Sequence, residues 1–404
     1  MVKICFLLVF VTTLLAAQPR EGAWRGVLQL KPSEGIDLPF TFNVRWQGGV
    51  SLVIQNAKEH IEVNEVKMEG DSFLFRMPVF DTEFRCRLWN DTLLTGFWLN
   101  RSRKENNTIP FTARFGAGSR FEASRSKPGD FFHGKWEVTF SPNSADSSKA
   151  IGMFESGTNG YLQGTFRTET GDYRYLEGSS YGSRLQLSAF DGSHAFLFVA
   201  DALPNGTLKG MFYAGNTWSE AWVARRNQGF ELRDPEKLTY LKDPEEVIQF
   251  SFENLSSQTV SLTDKRYLDK VVIVQIMGSW CPNCMDETAY LSTLYNRFQG
   301  KGLEVIGLAY ERTSDPEKAR NNVRRLKARF GVNYEILVTG LTGKDQASTS
   351  LPFLNGIMAF PTTLILNKDH RVVSVYTGFN GPATGKAYEE YVYKTEKLLK
   401  SLLK

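Results

Sequence analysis

An apolar run followed at once by two closely spaced cysteines constrains the fold of this 404-residue chain more than any other feature. Residues 271–277 read Val-Val-Ile-Val-Gln-Ile-Met, and residues 280–284 read Trp-Cys-Pro-Asn-Cys. The run predicts a buried strand, and a proline directly after the first cysteine predicts that a helix begins there. The positive potential and free N–H groups of a helix N-terminus stabilise a thiolate, the species that attacks a disulfide. The pattern therefore predicts a redox-active dithiol.

The two cysteines are expected to have different roles. Cys281, at the predicted helix start, is expected to be the exposed nucleophile, and Cys284, one turn inward on the same face, the thiol that closes a Cys281–Cys284 disulfide. A zinc site or a static disulfide is the alternative. Zinc needs two further ligands, and the chain offers only Cys86 and four scattered histidines (His60, His133, His194 and His370). We expect no metal and no cofactor beyond the redox-active disulfide.

The start of the chain has the features of a secretory signal. Lys3 precedes an apolar stretch that ends in the small residues Ala16 and Ala17. An uncleaved anchor is the alternative, but the stretch is shorter than the ~20 residues that usually span a bilayer. We therefore expect residues 1–17 to be a signal peptide and the protein to be exported. Cys86, in an alternating stretch, is expected to be a buried and inert thiol.

Residues 18–230 predict an all-β region, since short alternating runs are bounded there by Gly, Asn, Asp and Pro. Two pairs of matching segments occur in the same order. Trp24 and Trp136 open similar stretches 112 residues apart, and Phe80-Asp81 matches Phe190-Asp191 at 110 residues. A similarity of composition alone is the alternative. The constant spacing favours an internal duplication, with two related β units forming a barrel or a sandwich.

Residues 231–246 are charged and carry two Asp-Pro steps, which predicts an exposed linker. From residue 247 the pattern becomes α/β. We predict a hairpin over 248–252 and 260–262, strands at 271–277, 303–309 and 335–338, helices at 281–299, 316–330 and 386–403, and a late hairpin over 362–366 and 372–375. The chain is therefore predicted to be multidomain, with an α/β domain over residues 247–404. Its formal net charge of +4 gives no reason to expect nucleic-acid binding.

Two further features point to the same site. A cis bond before Pro361, which precedes the late hairpin, would expose backbone for pairing with a substrate strand. A trans proline that opens an edge strand is the alternative. Glu287, one turn past Cys284, is expected to be a partly buried carboxyl with a raised pKa that exchanges a proton with Cys284. The alternative is a solvated surface glutamate. Gln275, on the preceding strand, cannot titrate.

Residues 278–287, 360–363 and 378–385 resemble the TlpA/ResA-like thiol-disulfide oxidoreductases, and the resemblance covers about 247–404. It implies a thioredoxin fold, location in the bacterial periplasm or cell envelope, and reduction of client disulfides. It also implies recharging by a membrane thiol shuttle of the DsbD or CcdA type. The β-rich half resembles, more loosely, the accessory region of large exported members.

The resemblance assigns roles to particular residues of this chain. Cys281 becomes the nucleophile, Cys284 the resolving thiol, Glu287 the proton-handling acid and Pro361 the substrate-docking turn. The neighbouring residues Trp280, Pro282 and Phe360 are expected to contact the substrate. Asn283 within the motif and the large β half depart from the usual pattern.

The expected function is that of an exported disulfide reductase whose partners are client proteins. One alternative is a thioredoxin-fold peroxidase, but residues 276–280 lack the Pro-x-x-x-Thr/Ser-x-x pattern that precedes a peroxidatic cysteine. Another alternative is a protein- or glycan-binding envelope module in which the β half does the main work. Its many aromatic residues fit that role, but they fit a β core equally well.

Overall fold

The computed structural model describes residues 18–116, 118–121 and 130–404; the predicted signal peptide lies outside these residues. The first β unit consists of β1 (Gly22–Lys31), β2 (Ile36–Trp46), β3 (Val50–Asn56), β4 (Glu59–Val63), β5 (Glu65–Glu69), β6 (Ser72–Arg76), β7 (Thr82–Asn90), β8 (Leu93–Asn100) and β9 (Thr108–Phe115). The second β unit consists of β10 (Gly134–Phe140), β11 (Ser148–Ser156), β12 (Tyr161–Thr168), β13 (Gly171–Asp172), β14 (Leu176–Tyr181), β15 (Arg184–Phe190), β16 (Ala195–Ala202), β17 (Leu208–Ala214) and β18 (Trp218–Arg226).

The C-terminal domain contains the remaining regular elements of the described residues. Its strands are β19 (Ser251–Glu253), β20 (Thr259–Ser261), β21 (Val271–Met277), β22 (Leu303–Ala309), β23 (Glu335–Val338), β24 (Thr362–Leu366) and β25 (Val372–Thr377). Its helices are α1 (Pro282–Phe298), α2 (Pro316–Phe330), α3 (Gly343–Ser350) and α4 (Lys386–Leu402).

Each β unit is a single sheet in which the first strand pairs with the last. The sheet of the first unit runs β4-β3-β2-β1-β9-β8-β7-β6-β5, and β10 pairs with β18 in the second. An additional pairing of β11 with β12 closes the second sheet on itself. The alternating sequence pattern arises because inward side chains form the core and outward ones meet solvent. The prediction of an all-β region made of two barrel-like units is confirmed.

Matching residues of the two units occupy equivalent places. Trp24 and Trp136 are both fully buried. Each indole N–H donates to the carbonyl four residues earlier, at 2.9 and 2.8 Å. Gly96 and Gly210 lie in the next-to-last strands, where an added Cβ would lie 2.0 and 2.2 Å from a carbonyl oxygen of the neighbouring strand. The same residue type therefore serves the same packing need in both units.

The C-terminal sheet has the strand order β20-β19-β23-β22-β21-β24-β25. Strand β21 is parallel to β22 and antiparallel to β24. Every residue of β21 is buried, because helices cover both faces of the sheet and no alternation with polar residues is needed. The predicted α/β thioredoxin order is confirmed. Helix α3 was not predicted, since its eight residues, Gly-Lys-Asp-Gln-Ala-Ser-Thr-Ser, have no apolar periodicity.

The segment between the second β unit and the C-terminal domain is mostly exposed, yet it is attached to that domain. Thr239 is fully buried, and its N–H donates to Thr377 Oγ1 at 3.0 Å. Leu241 forms an isolated bridge with Leu354. The predicted linker over residues 231–246 therefore lies along the C-terminal domain rather than crossing free solvent.

Candidate functional site

The chain leaves β21 at Met277, turns through three residues and begins α1 at Pro282, so that Cys281 caps the helix. The Cys281 sulfur accepts the Cys284 N–H at 3.3 Å and lies 3.5 Å from the Phe360 carbonyl oxygen. The predicted position of this sulfur at the helix N-terminus is thus observed. The expectation that Cys281 is exposed is wrong, because only 7% of the residue is accessible.

Cys284 and Cys86 are both buried, as predicted. Cys284 is fully enclosed, and burial raises the pKa of its thiol well above the ordinary value. Burial also raises the pKa of the Cys86 thiol, which therefore stays protonated. Deprotonation of Cys284 consequently requires a base close to it.

The turn before β24 supplies the other side of the site. The Phe360–Pro361 peptide bond is cis, as expected. The Pro361 carbonyl accepts the Gly378 N–H at 2.8 Å, while the Phe360 carbonyl faces the Cys281 sulfur. The ring of Trp280 packs edge-on against Phe360, with centroids 5.6 Å apart. Trp280, Pro282 and Phe360 all border the opening next to Cys281.

Glu287 is fully buried rather than partly buried. Its carboxylate accepts hydrogen bonds from Gln275 Nε2 at 2.9 Å, Thr363 Oγ1 at 2.8 Å and the Tyr391 hydroxyl at 3.1 Å. Burial raises the pKa of Glu287 to about 7, and the three donors counteract only part of that rise. The predicted raised pKa is therefore found, with burial as its cause.

Gln275 connects this carboxylate to the cysteine pair. Its side-chain amide donates both to Glu287 and, at 3.2 Å, to the carbonyl of Cys284. The Thr288 hydroxyl donates to the side-chain oxygen Oε1 of Gln275 at 3.1 Å, and this bond orients the side-chain amide. Gln275 therefore positions Glu287 against the start of α1 without itself exchanging a proton.

Sequence reasoning missed two residues that support the cysteine turn from β22. The buried carboxylate of Glu311 accepts the Ser279 N–H at 2.8 Å and the Ser279 hydroxyl at 2.7 Å. The guanidinium of Arg312 lies over the Trp280 ring, 3.8 Å from its centroid. Both residues follow the carboxyl end of a strand parallel to β21. That placement is the signal that could have identified them.

A buried ion cluster joins the site to both β units, and the sequence pattern did not predict it. Arg174, just after β13, binds Asp286 of α1 through two hydrogen bonds of 2.9 and 2.8 Å. The same guanidinium contacts Glu59 of the first β unit at 2.6 Å and Asp191 of the second at 3.6 Å. Asp286 lies two residues from Cys284, so the β units are attached directly to the active-site helix.

An opening of about 700 Å³ leads to Cys281, and we call it the active-site groove. Residues 168–173 of the second β unit form one wall, and Trp280, Pro282 and Phe360 form the opposite one. The second β unit therefore contributes to the surroundings of the reactive sulfur. The site residues predicted from the sequence all lie in the C-terminal domain.

A Redoxin family model matches residues 244–392. The thiol-disulfide oxidoreductase ResA of Halalkalibacterium halodurans is 27% identical over 135 residues, which are 33% of this chain and 68% of that protein. ResA of Geobacillus thermodenitrificans is 28% identical over 129 residues, which are 32% and 66% of the two chains. These matches span about two thirds of each relative and about a third of this chain. The C-terminal domain is a TlpA/ResA-like thioredoxin-fold domain.

Two solved structures are similar to part of this chain. A DsbF homologue from Corynebacterium diphtheriae is 23% identical with a TM-score of 0.31, over 42% of this chain and 98% of that one. A thiol-disulfide oxidoreductase from Bacteroides fragilis is 15% identical with a TM-score of 0.28, over 36% and 99% of the two chains.

Across residues 18–116, 118–121 and 130–404, no helix combines the length and the apolar character needed to cross a bilayer. In the same part of the chain, His, Cys, Asp and Glu nowhere form a group of three or more that could hold a metal ion.

The buried Glu287 predicts a pH dependence of stability. Its folded-state pKa of about 7 lies above the ordinary glutamate pKa of 4.5. The stability it contributes is therefore fully present below the unfolded pKa and is lost as pH rises through about 7. We expect Glu287→Gln to remove about 3 kcal/mol of the pH-dependent fall in the free energy of unfolding between about pH 4 and pH 8. Urea denaturation of both proteins across this range measures the difference, and parallel curves would contradict the assignment.

The ion cluster predicts a large cost for loss of its central cation. Arg174→Met leaves the carboxylates of Glu59 and Asp286 without their cation, while Asp191 keeps its contact with His194. We therefore expect a loss of about 3–5 kcal/mol in the free energy of unfolding. Arg184→Met is the matched control, because Arg184 pairs with Asp201 at a site where both side chains are about half exposed. Its expected cost is at most about 1 kcal/mol. Equal costs in urea denaturation would show that the cluster does not hold the units together.

Proposed function

We propose that this protein is an exported thiol-disulfide oxidoreductase that reduces the disulfides of client proteins. The observation that carries the proposal is the Cys281 sulfur at the N-terminus of α1, 3.5 Å from the Phe360 carbonyl and one turn from the buried Cys284. A nucleophilic sulfur at a helix N-terminus, beside a second thiol and an accessible backbone edge, suits thiol–disulfide exchange. The similarity to ResA proteins supports the same reaction class.

The first step forms a mixed disulfide. The Cys281 thiolate attacks one sulfur of the client disulfide, the client S–S bond breaks, and the departing client sulfur takes up a proton. The Phe360 backbone, presented by the turn at Pro361, is proposed to pair with the client segment beside the bond being exchanged. Trp280 and Pro282 are proposed to contact the client on the other side of the sulfur.

The second step releases the reduced client. The Cys284 thiol loses its proton and attacks the Cys281 sulfur; the mixed disulfide breaks and the second client thiol leaves. Two electrons have then passed to the client, and Cys281 and Cys284 are joined as a disulfide. A membrane thiol shuttle of the DsbD or CcdA type is the proposed electron donor that reduces this disulfide again.

Glu287 is the proposed acceptor of the Cys284 proton. The Cys284 thiol has a raised pKa, so its ionisation in a buried place needs a base with a similarly raised pKa. Glu287 has a pKa of about 7 and is linked to the same turn of α1 through Gln275. In the part of the chain that the structure describes, no hydrogen bond joins Cys284 Sγ directly to the Glu287 carboxylate. The proton is therefore proposed to be transferred after the sulfur has moved or to pass through a water molecule.

Trapping of the mixed disulfide tests the mechanism. In Cys284→Ser the second step is blocked, so we expect clients to remain covalently attached to Cys281 when the protein is expressed in an envelope compartment. Mass spectrometry of adducts that are released by reductant identifies both the client and the attachment site. Cys281→Ser in the same background is the control and should trap nothing. A Cys284→Ser protein without adducts, combined with rapid peroxide consumption by the wild type, would favour the peroxidase alternative.

The direction of electron flow is tested by the reduction potential of the Cys281–Cys284 pair. A reductase is expected to equilibrate near −270 mV, as thioredoxin does, whereas a potential of about −120 mV is that of a strong oxidant. Equilibration with glutathione or dithiothreitol buffers, followed by quantification of both redox forms, gives the value. A potential close to the oxidant value would overturn the reductase assignment while leaving the exchange chemistry intact.

A further inference from the structure

Residues 167–174 of the second β unit lie against the thioredoxin-fold domain at its active site, and we call this segment the cap. Backbone packing there is unusually close. An added Cβ on Gly171 would lie 2.3 Å from Asn283 Nδ2, within the Cys-x-x-Cys motif. An added Cβ on Gly378, after β25, would lie 2.5 Å from the backbone carbon of Thr170. The cap therefore contacts both the motif and the loop opposite it, with no space for another layer of side chains.

Polar contacts hold the cap at both of its ends. Arg167 Nε donates to Asn380 Oδ1 at 3.2 Å, and the Gly381 N–H donates to Asp172 Oδ2 at 2.5 Å. Arg174 binds Asp286 on α1 through two hydrogen bonds. Asp172 and Arg174 are also connected, since the Arg174 N–H donates to Asp172 Oδ1 at 2.6 Å. The cap is thus fixed to the domain by several independent bonds rather than by one surface ion pair.

The first β unit also borders Trp280. A cavity of about 230 Å³ is lined by Arg101, Arg103 and Lys104 of the first unit together with Trp280 and Arg312. Cys281 does not line this cavity, whereas it does line the active-site groove. Access through the groove agrees with the low accessibility of Cys281.

The size of the groove suits some clients better than others. At about 700 Å³ it has the volume of a site that encloses a small ligand or a short stretch of chain. Its two walls are fixed to each other by the hydrogen bonds of Asp172 and Arg174, so we expect the groove not to widen around a folded domain.

The charges at the groove do not favour one sign of client. Lys149 at its edge pairs with Glu137 at 3.0 Å, and Arg233 pairs with Glu169. Both cations thus already have a carboxylate partner. Asp172 and His194, which also line the groove, are held by hydrogen bonds with Gly381 and Asp191.

We propose that the cap makes this protein specific for disulfides carried by short, extended polypeptide segments and excludes disulfides on the surface of folded domains. The substrate class rests on the proposed function, whereas the steric role of the cap does not. Gly171 is the residue through which the cap approaches the motif. It is a positioning residue, since it allows the contact with Asn283 and takes no part in the exchange of sulfur atoms.

The role of the cap is tested by chemical labelling of Cys281, which needs no reductase activity. Purified full-length protein is treated with iodoacetamide or with a maleimide carried on a large poly(ethylene glycol) chain, and labelling at Cys281 is followed by peptide mass spectrometry. Each rate is normalised to that of glutathione with the same reagent. We expect the wild type to exclude the large reagent at least about tenfold relative to the small one, a factor that corresponds to about 1.4 kcal/mol. Equal normalised rates for the two reagents would contradict the proposal that the cap limits access to Cys281.

Gly171→Ala is the variant that displaces the cap. Its Cβ overlaps Asn283, and we expect the large reagent to gain about tenfold in rate, which corresponds to about 1.4 kcal/mol, while the small reagent changes little. Gly49→Ala is the matched control, because Gly49 has φ +133 against +144 at Gly171 but open space around an added Cβ. It carries the same kind of backbone strain and is expected to leave both rates unchanged. An unchanged rate of the large reagent in Gly171→Ala also contradicts the proposal; the wild-type comparison stands even if this variant does not fold.

The client class is tested by kcat/KM for a disulfide in an unfolded peptide and for an exposed disulfide in a folded protein. We expect the wild type to prefer the peptide and Gly171→Ala to lose most of that preference. Equal kcat/KM values for both substrates in the wild type would overturn the substrate class. If neither protein reduces a disulfide while the labelling rates differ as expected, the proposed function is contradicted and the steric role of the cap is supported.

Discussion

The two hydrogen bonds between Arg174 and Asp286 attach the second β unit to the active-site helix of the thioredoxin-fold domain. A guanidinium enclosed by protein is stable only when carboxylates surround it, and here they come from three places: Glu59 in the first β unit, Asp191 in the second and Asp286 on the active-site helix. Asp191 also contacts His194, whereas Glu59 and Asp286 share Arg174 as their cation. The first β unit and the active-site helix therefore cannot separate without leaving a buried charge unpaired. The active site therefore has a wall that its own domain does not provide.

Corresponding hairpins of the two β units position that wall. Counting from the first strand of each unit, the β3–β4 hairpin corresponds to the β12–β13 hairpin. Glu59 lies in β4 and Arg174 lies two residues after β13, so these hairpins meet at one ion pair of 2.6 Å. The second hairpin continues into the contact with the Cys-x-x-Cys motif. The two units thus differ in what their corresponding hairpins contact.

Inside the thioredoxin-fold domain, the chemistry depends on burial. Enclosure raises the pKa of the Cys284 thiol and brings that of Glu287 to about 7, and Gln275 contacts both neighbourhoods through a single amide. The conditions that make Cys284 a poor acid therefore also make Glu287 a better base. The reactive sulfur of Cys281 is different, since it lies at a helix N-terminus and receives the N–H of Cys284.

The sequence by itself determined the features that depend only on residues close together along the chain. The apolar run over 271–277, the Cys-Pro helix start, the proline turn at 361 and the alternating β pattern are local signals, and each formed the predicted element. The tertiary structure decided the burial of Cys281, the groove and the ion cluster. Arg174 and Asp286 are 112 positions apart, and an isolated arginine or aspartate carries no periodicity that pairs them. Only the packing of three folded units brings such charges together, because the cost of burying each one is offset by the others.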